Sequence, residues 1–458
     1  MNFMLVGILI LVIFIIALSA RVPGNPHKNI ILENTIQKEH LEETKITELR
    51  QEYKRRLLQI AAVLSLVSLP LLFSPYDSIM MLGFIVIMMV SIASMFYCEV
   101  TYIRKMKQLI VENHWTAEVT PLVIDTTLVV EKNRKMLSAW WLLPAIFVSI
   151  FGCLYTFRTL GTATTTWIFI ITAIVVCGLF IALYYSLGRM PVKSYTTDKK
   201  LNGLYNDLFR HHWSVILIVL FWLLAPISFL PVASLQENYH FVFLLMMLYM
   251  ILIIMGAIFT IYYLYDLRKK QDQIIEQAPE YQYTGDDDYW KFSIYINPND
   301  SRLMVADRLG MNVSMNLGKK SGKIIAGILG ILVTGLLFVV LIPLFMIDFG
   351  QDPFQATLSN EEVQLQAPLT HAKIPIDDIE DVVLLDKLPN DRIRMNGTGT
   401  EHYQLGEFKV ENRTATLFVD NSSSPVLKIQ TKKRDYYFTS KIPKETKLTY
   451  KKLKTEIE

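Results

Sequence analysis

Eight stretches of the chain are apolar over about 17 to 25 consecutive positions, and polar, charge-bearing segments separate them. They are Met4 to Ala20, Leu57 to Phe73, Ile79 to Cys98, Leu137 to Tyr155, Thr165 to Leu187, Trp213 to Ala233, Phe241 to Tyr265 and Ile324 to Ile347. The last is unbroken over 24 residues. At 1.5 Å rise per residue a helix of that length extends about 36 Å, enough to cross a hydrocarbon layer of about 30 Å with some tilt. Each run therefore predicts a membrane-spanning helix. Ile46, Leu49, Tyr53 and Leu57 recur at helical spacing ahead of the second run, with Glu52 four residues before Arg56, which predicts an amphipathic helix feeding that span.

A different period governs the last 110 or so residues. Val363 and Leu365, Phe408 and Val410, Thr416 and Phe418, and Leu427 and Ile429 stand two apart, as one face of a strand requires, and Asn421 to Pro425 supplies a turn. Beyond Pro443, Tyr450, Leu453 and Ile457 return to helical spacing and predict one closing amphipathic helix. Between the two regimes, Trp290, Phe292 and Ile294 alternate as a strand, Asn297 to Asp300 turns, and Leu303 and Val305 begin another strand. The expected fold class is an α-helical polytopic membrane protein with a small cytoplasmic β module and a C-terminal β-rich domain. Its expected divisions are 1–20 (first span), 21–56 (cytoplasmic arm), 57–265 (spans two to seven), 266–323 (β module), 324–347 (eighth span) and 348–458 (extracellular domain).

Composition agrees with that class. Of 458 residues 52% are hydrophobic, and the formal net charge is only +3. The placement of the charge says more than its sum. Segments 21–56, 99–136, 188–212 and 266–323 hold 8, 6, 5 and 9 Lys plus Arg, whereas the three short loops between them hold only Arg158. By the positive-inside rule those four segments face the cytoplasm and both termini lie outside, which also makes the first run an uncleaved anchor rather than a signal peptide. Pro70, Pro144, Pro226, Pro231 and Pro343 all fall in even-numbered spans, and Trp140 to Pro144 resembles Trp222 to Pro226. Duplication of a helical hairpin and coincidence both account for this pattern.

Candidate chemistry is sparse. No Asp, Glu, Lys, Arg or His lies within the eight apolar cores, which disfavours a carrier coupled to protons or sodium. His211 and His212, adjacent on a helix, point about 100° apart and read as an interfacial pair rather than a chelate. Gly318 to Lys323 lacks the phosphate-loop order and reads as a membrane-flanking anchor. Asp286, Asp287 and Asp288 read as a solvated acidic turn. Cys98, Cys153 and Cys177 all sit in apolar runs as packing residues. No catalytic, cofactor or metal residue is expected, and the chain is read as no enzyme.

One stretch carries a resemblance. Asp286 to Asn316 reads DDDYWKFSIYINPNDSRLMVADRLGMNVSMN, and Tyr289, Trp290, Tyr295, Asn297, Pro298, Asp300, Val305, Arg308, Gly310 and Asn316 match the pattern of a short bacterial domain of unknown function. Asn312 stands where that pattern has a second glycine. Arg394 to Gly397 and Tyr403 to Phe408 are similar to bacterial pleckstrin-homology-like tails, and Gly397 and Gly406 are expected at bends between strands. Proteins with both features resemble the sporulation-delaying-protein immunity family, from which this chain departs by lacking a Pro-rich segment ending in Pro-x-His after span four. The resemblance implies no catalytic residues. The expected role is an envelope protein for sensing, immunity or regulation, with the lipid bilayer and an extracellular peptide or envelope protein as partners and no nucleic acid. A permease or flippase is the rival.

Overall fold

The computed structural model describes residues 2–119, 126–160, 164–229, 239–278, 283, 285–308, 313–359, 361–368, 370–400, 402–411 and 413–457. In chain order these comprise helix α1 (Asn2–Ala20), a tight hairpin β1 (Ile30–Ile31) and β2 (Asn34–Thr35), and helices α2 (Thr44–Ser68), α3 (Asp77–Glu112), α4 (Thr126–Glu131), α5 (Leu143–Leu160), α6 (Thr164–Arg189), α7 (Lys199–Leu224) and α8 (Tyr239–Glu276). Two small hairpins follow, β3 (Trp290–Lys291) with β4 (Ile294–Tyr295) and β5 (Met304–Ala306) with β6 (Val313–Met315), then helix α9 (Lys320–Phe349). Among the described residues eight helices are long and apolar enough to cross a membrane. α8 continues through Glu276, so the first part of the 266–323 segment is helical, and the 21–56 segment holds a β-hairpin ahead of its helix.

The chain divides into two compact units, one built from residues 1–15, 61–92 and 328–458 and the other from 16–60 and 93–327. The first contains the C-terminal domain. Its strands are β7 (Gln355–Leu358), β8 (Glu362–Ala367), β9 (Thr370–Pro375), β10 (Ile379–Leu385), β11 (Arg392–Gly399), β12 (Tyr403–Val410), β13 (Arg413–Asp420), β14 (Val426–Thr431) and β15 (Asp435–Phe438), closed by helix α10 (Pro443–Ile457). They make a three-stranded sheet ordered β7-β8-β9 and a six-stranded sheet ordered β10-β14-β15-β13-β12-β11, antiparallel except for the parallel β13–β15 pair. The alternation read from the sequence lines the core: Val363, Leu365, Phe418, Leu427 and Ile429 are all essentially inaccessible, and Leu453 of α10 closes the cluster. Leu344 and Ile347, from the last turns of α9, enter the same core. Gly397 and Gly406 are not at bends between strands. They face each other as register partners inside the β11–β12 pair at φ 120° and 115°, where a Cβ on Gly397 would lie 2.2 Å from the Leu405 carbonyl oxygen.

In the second unit, α5, α6 and α7 pack through Leu142, Ala145, Phe180, Phe221 and Ala225, with the Phe180 and Phe221 rings stacked 5.0 Å apart. The two Trp-containing motifs meet here, since the Trp222 indole donates to the Trp141 carbonyl at 2.8 Å. In α2, Ile46, Tyr53 and Leu57 are fully buried, the face the helical spacing predicts.

Candidate functional site

In the second unit, the segment that carries the resemblance folds as two hairpins held by one side chain. Asn316, fully buried, donates through Nδ2 to the carbonyls of Asn297 (2.9 Å), Arg302 (3.2 Å) and Asp300 (3.3 Å), and its Oδ1 accepts from the backbone amides of Gly318 (2.9 Å) and Asn297 (3.1 Å). Gly318 belongs to this joint, because a Cβ there would stand 2.4 Å from the Asn297 carbonyl carbon. Close packing therefore accounts for this glycine of the Gly318 to Lys323 run. Trp290, Tyr295 and Val305 form a miniature core. Tyr289 is exposed and Pro298 stands on the exposed turn, whereas Gly310 lies outside the described residues.

Asp300 accepts from the Tyr295 hydroxyl (2.9 Å) and from Arg302 Nε (2.8 Å). Burial works against its charge, but these donors outweigh it and hold the carboxyl at about 2, while the hydrogen bond to Asp300 raises the Arg302 pKa in turn. Arg308, buried, donates to the Glu33 carbonyl (2.6 Å), to Thr35 Oγ1 (2.5 Å) and to Asp287. Asp287 in turn accepts from the Thr35 amide (3.0 Å) and hydroxyl (2.7 Å). The acidic triplet is thus not a simple solvated turn. Its central member is an anchor that ties the β1–β2 hairpin to the motif, and Asp288 stays exposed, 3.8 Å from Lys107.

The β1–β2 hairpin is the feature that sequence reasoning missed. Residues 27–36 are buried almost throughout, in two consecutive two-residue turns, Lys28–Asn29 and Leu32–Glu33, with every φ positive. Phe292–Ser293 repeats this geometry between β3 and β4. Positive φ at Leu32 and Phe292 is costly without glycine, and persists because hydrogen bonds on both sides fix it. Asn29 is the sole residue of these turns whose type signals such a conformation.

The first of these turns places Lys28 in an aromatic cage. Its ammonium lies 5.0 Å from the ring centres of both Tyr195 and Tyr205, which are themselves 4.5 Å apart. Burial lowers the Lys28 pKa, the Lys193 charge adds to that, and Tyr195, Asp307 and Asp272 pull it back. His27 beside it is held well below its ordinary pKa, first by burial and then by Lys28 and Arg268; its Nδ1 is 2.8 Å from Asp272 Oδ1. Lys28, Tyr195, Trp290, Tyr295, Asp300 and Arg308 all line one cavity of about 650 Å³. Five of the motif residues named from sequence, with Val305 among them, therefore converge on one site, and Asn297 and Asn316 brace it. Elsewhere in the unit the histidine pair separates: His211 Nδ1 meets the Lys135 carbonyl (3.1 Å), whereas His212 Nε2 lies 3.2 Å from Asp266. No group of three or more His, Cys, Asp or Glu among the described residues could hold a metal ion.

The first unit has a second cavity, of about 790 Å³. Met80, Val339, Pro343 and Leu344 make it apolar on one side, and β9 (Thr370 to Lys373) and β11 (Arg394 and Gly397 to Gly399) line another. Both strands are sheet edges, each paired on one side only among the described residues. Near it, Asp77 carries His402 at 3.2 Å, and Asp348 accepts from the Ser78 amide at 2.7 Å.

Among the described residues, eight helices long and apolar enough to cross a membrane accompany a β-rich domain that one helix closes. Residues 354–454 match the family model described as a bacterial PH domain, in agreement with the pleckstrin-homology-like tail expected from Arg394 to Gly397 and Tyr403 to Phe408. No curated protein and no solved structure matches the chain.

Proposed function

We propose that the chain is a non-enzymatic, multi-pass protein of a bacterial cell membrane whose C-terminal domain recognises an extended polypeptide segment outside the cell. The observation that carries this reading is the 790 Å³ cavity, to whose lining β9 and β11, each an outer strand of its sheet, contribute. An open edge presents unpaired backbone donors and acceptors, and an extended segment satisfies them by adding a strand, while alternate side chains enter pockets. The apolar wall from Met80, Val339 and Leu344 offers such pockets, and Arg394 favours an acidic group on the incoming segment.

Membrane insertion is supported by side chains that have no protein neighbour to cover them. Ile331, Leu336 and Leu332 of α9 are 74%, 64% and 62% exposed, which water would penalise and lipid would not. The orientation rests on charge: the four Lys- and Arg-rich segments alternate along the chain with short loops that hold only Arg158.

The test is a decapeptide display library selected against the purified full chain in nanodiscs. Selected peptides should alternate apolar and polar positions, include Asp or Glu, and lose binding when amides on one edge are N-methylated. Binders indifferent to N-methylation would overturn recognition by strand addition.

A further inference from the structure

We infer that the cavity around Lys28 in the second unit is a binding site for a phosphate-type anion. The cavity of about 650 Å³ adjoins a small one of about 30 Å³, and Lys28, Lys193, Tyr195, Arg302 and Asp307 line both. Its charge is unbalanced toward cations. Arg302 is held by Asp300, and Arg308 by Asp287 with Asp286 at 3.8 Å. Asp307 is the remaining carboxylate of the lining, against Lys28, Arg189 and Lys193. Among the described residues neither Arg189 nor Lys193 makes an ion pair, so positive charge is left over for an anion.

Gln271 supplies an independent pointer. It lines the small cavity with no exposed surface, and neither its Oε1 nor its Nε2 has a hydrogen-bond partner among the described residues. A buried amide left without partners is costly, so such a residue belongs where something else completes it. The small cavity admits one polar arm of a ligand whose charged body sits in the wider chamber. Trp290, Tyr295 and Tyr195 give that chamber apolar walls that strengthen the attraction between Lys193 and an anion. Arg189 is the last residue of α6, one of the helices long enough to cross a membrane. Basic pockets at such helix ends suit the phosphodiester of an anionic lipid, and a free phosphate or pyrophosphate offers the same chemistry.

The experiment uses the full chain in phosphatidylcholine nanodiscs, in four arms: unchanged, with phosphatidylglycerol in the bilayer, with inorganic pyrophosphate in solution, and with chloride at matched ionic strength. Thermal midpoint and intrinsic tryptophan fluorescence are read for the wild type, Lys193→Ala and Gln271→Leu. The inference expects a higher midpoint with phosphatidylglycerol, pyrophosphate or both, but not with chloride, and at least tenfold weaker binding for Lys193→Ala. A response to phosphatidylglycerol alone assigns the site to a lipid headgroup, and a response to pyrophosphate alone assigns it to a soluble phosphate. Gln271→Leu should raise the midpoint without ligand and weaken ligand binding. If that variant fails to fold, Lys193→Ala decides, because its side chain makes no hydrogen bond that the fold uses. No response in either phosphate arm, an equal response to chloride, or a Lys193→Ala variant that behaves as wild type would overturn the inference.

Discussion

Asn316→Ala is the substitution whose cost follows most directly from the structure. The wild-type amide makes five hydrogen bonds at 2.9 to 3.3 Å from a position with no exposed surface. Alanine leaves the backbone amides of Asn297 and Gly318 without an acceptor and removes a donor from three carbonyls. At about 1–3 kcal/mol for a buried amide left unpaired, the Asn297 amide alone costs about that much, and the half-buried Gly318 amide adds to it. The loss is local, so hydrogen–deuterium exchange by mass spectrometry on the full chain in nanodiscs is the suitable assay, read on peptides covering residues 290–306. Two kcal/mol corresponds to an acceleration of about 30-fold. Ser293→Ala is the control, since that exposed hydroxyl reaches only Glu99, at 3.1 Å. Acceleration below about threefold for Asn316→Ala would refute the claim that this side chain holds the two hairpins together.

Stability of the second unit should fall in mild acid. The His27 pKa is depressed in the folded chain, so its contribution is present above its unfolded value of about 6.5 and is lost as pH falls below it. His27→Gln should flatten thermal midpoints measured between pH 7 and 5, and an unchanged slope would count against the burial argument. Residues 348–458 expressed alone should give a β-rich, cooperatively melting circular dichroism signal. Leu453→Ala should lower that midpoint by about 10 °C or more, because Leu453 is fully buried in the core; a disordered or mainly helical spectrum would refute the fold. Any transport by the chain should not be driven by a carboxylate or histidine within the apolar cores, which hold none; a proton-coupled flux abolished by substituting one apolar-core residue, with no terminal Asp or Glu involved, would contradict this.

The apolar runs were legible because each is long enough that period and length agree, and the C-terminal strands because Val363 and Leu365, or Leu427 and Ile429, repeat at two over a one-sided core. Asn297, Asp300 and Asn316 were legible as a motif, but their roles were not, since a hub of five hydrogen bonds depends on distances that spacing does not encode. Asp287 was read by its neighbours as a solvated turn, whereas its partner Thr35 is 252 residues away in sequence. Lys28 and Leu32 were hidden for another reason. Their turns use positive φ without glycine, and tertiary hydrogen bonds rather than local propensity hold them there. Gly397 and Gly406 were expected at bends because glycine marks both bends and close approaches, and only the register tells these apart.

Recognition of an external segment requires residues 348–458 to lie outside and the basic segments inside. Single cysteines at Ser293 and at Lys444, both exposed, test this in intact cells with a membrane-impermeant maleimide. Labelling of Lys444→Cys with Ser293→Cys reacting only after lysis is the expected result, and labelling of Ser293→Cys in intact cells would contradict it.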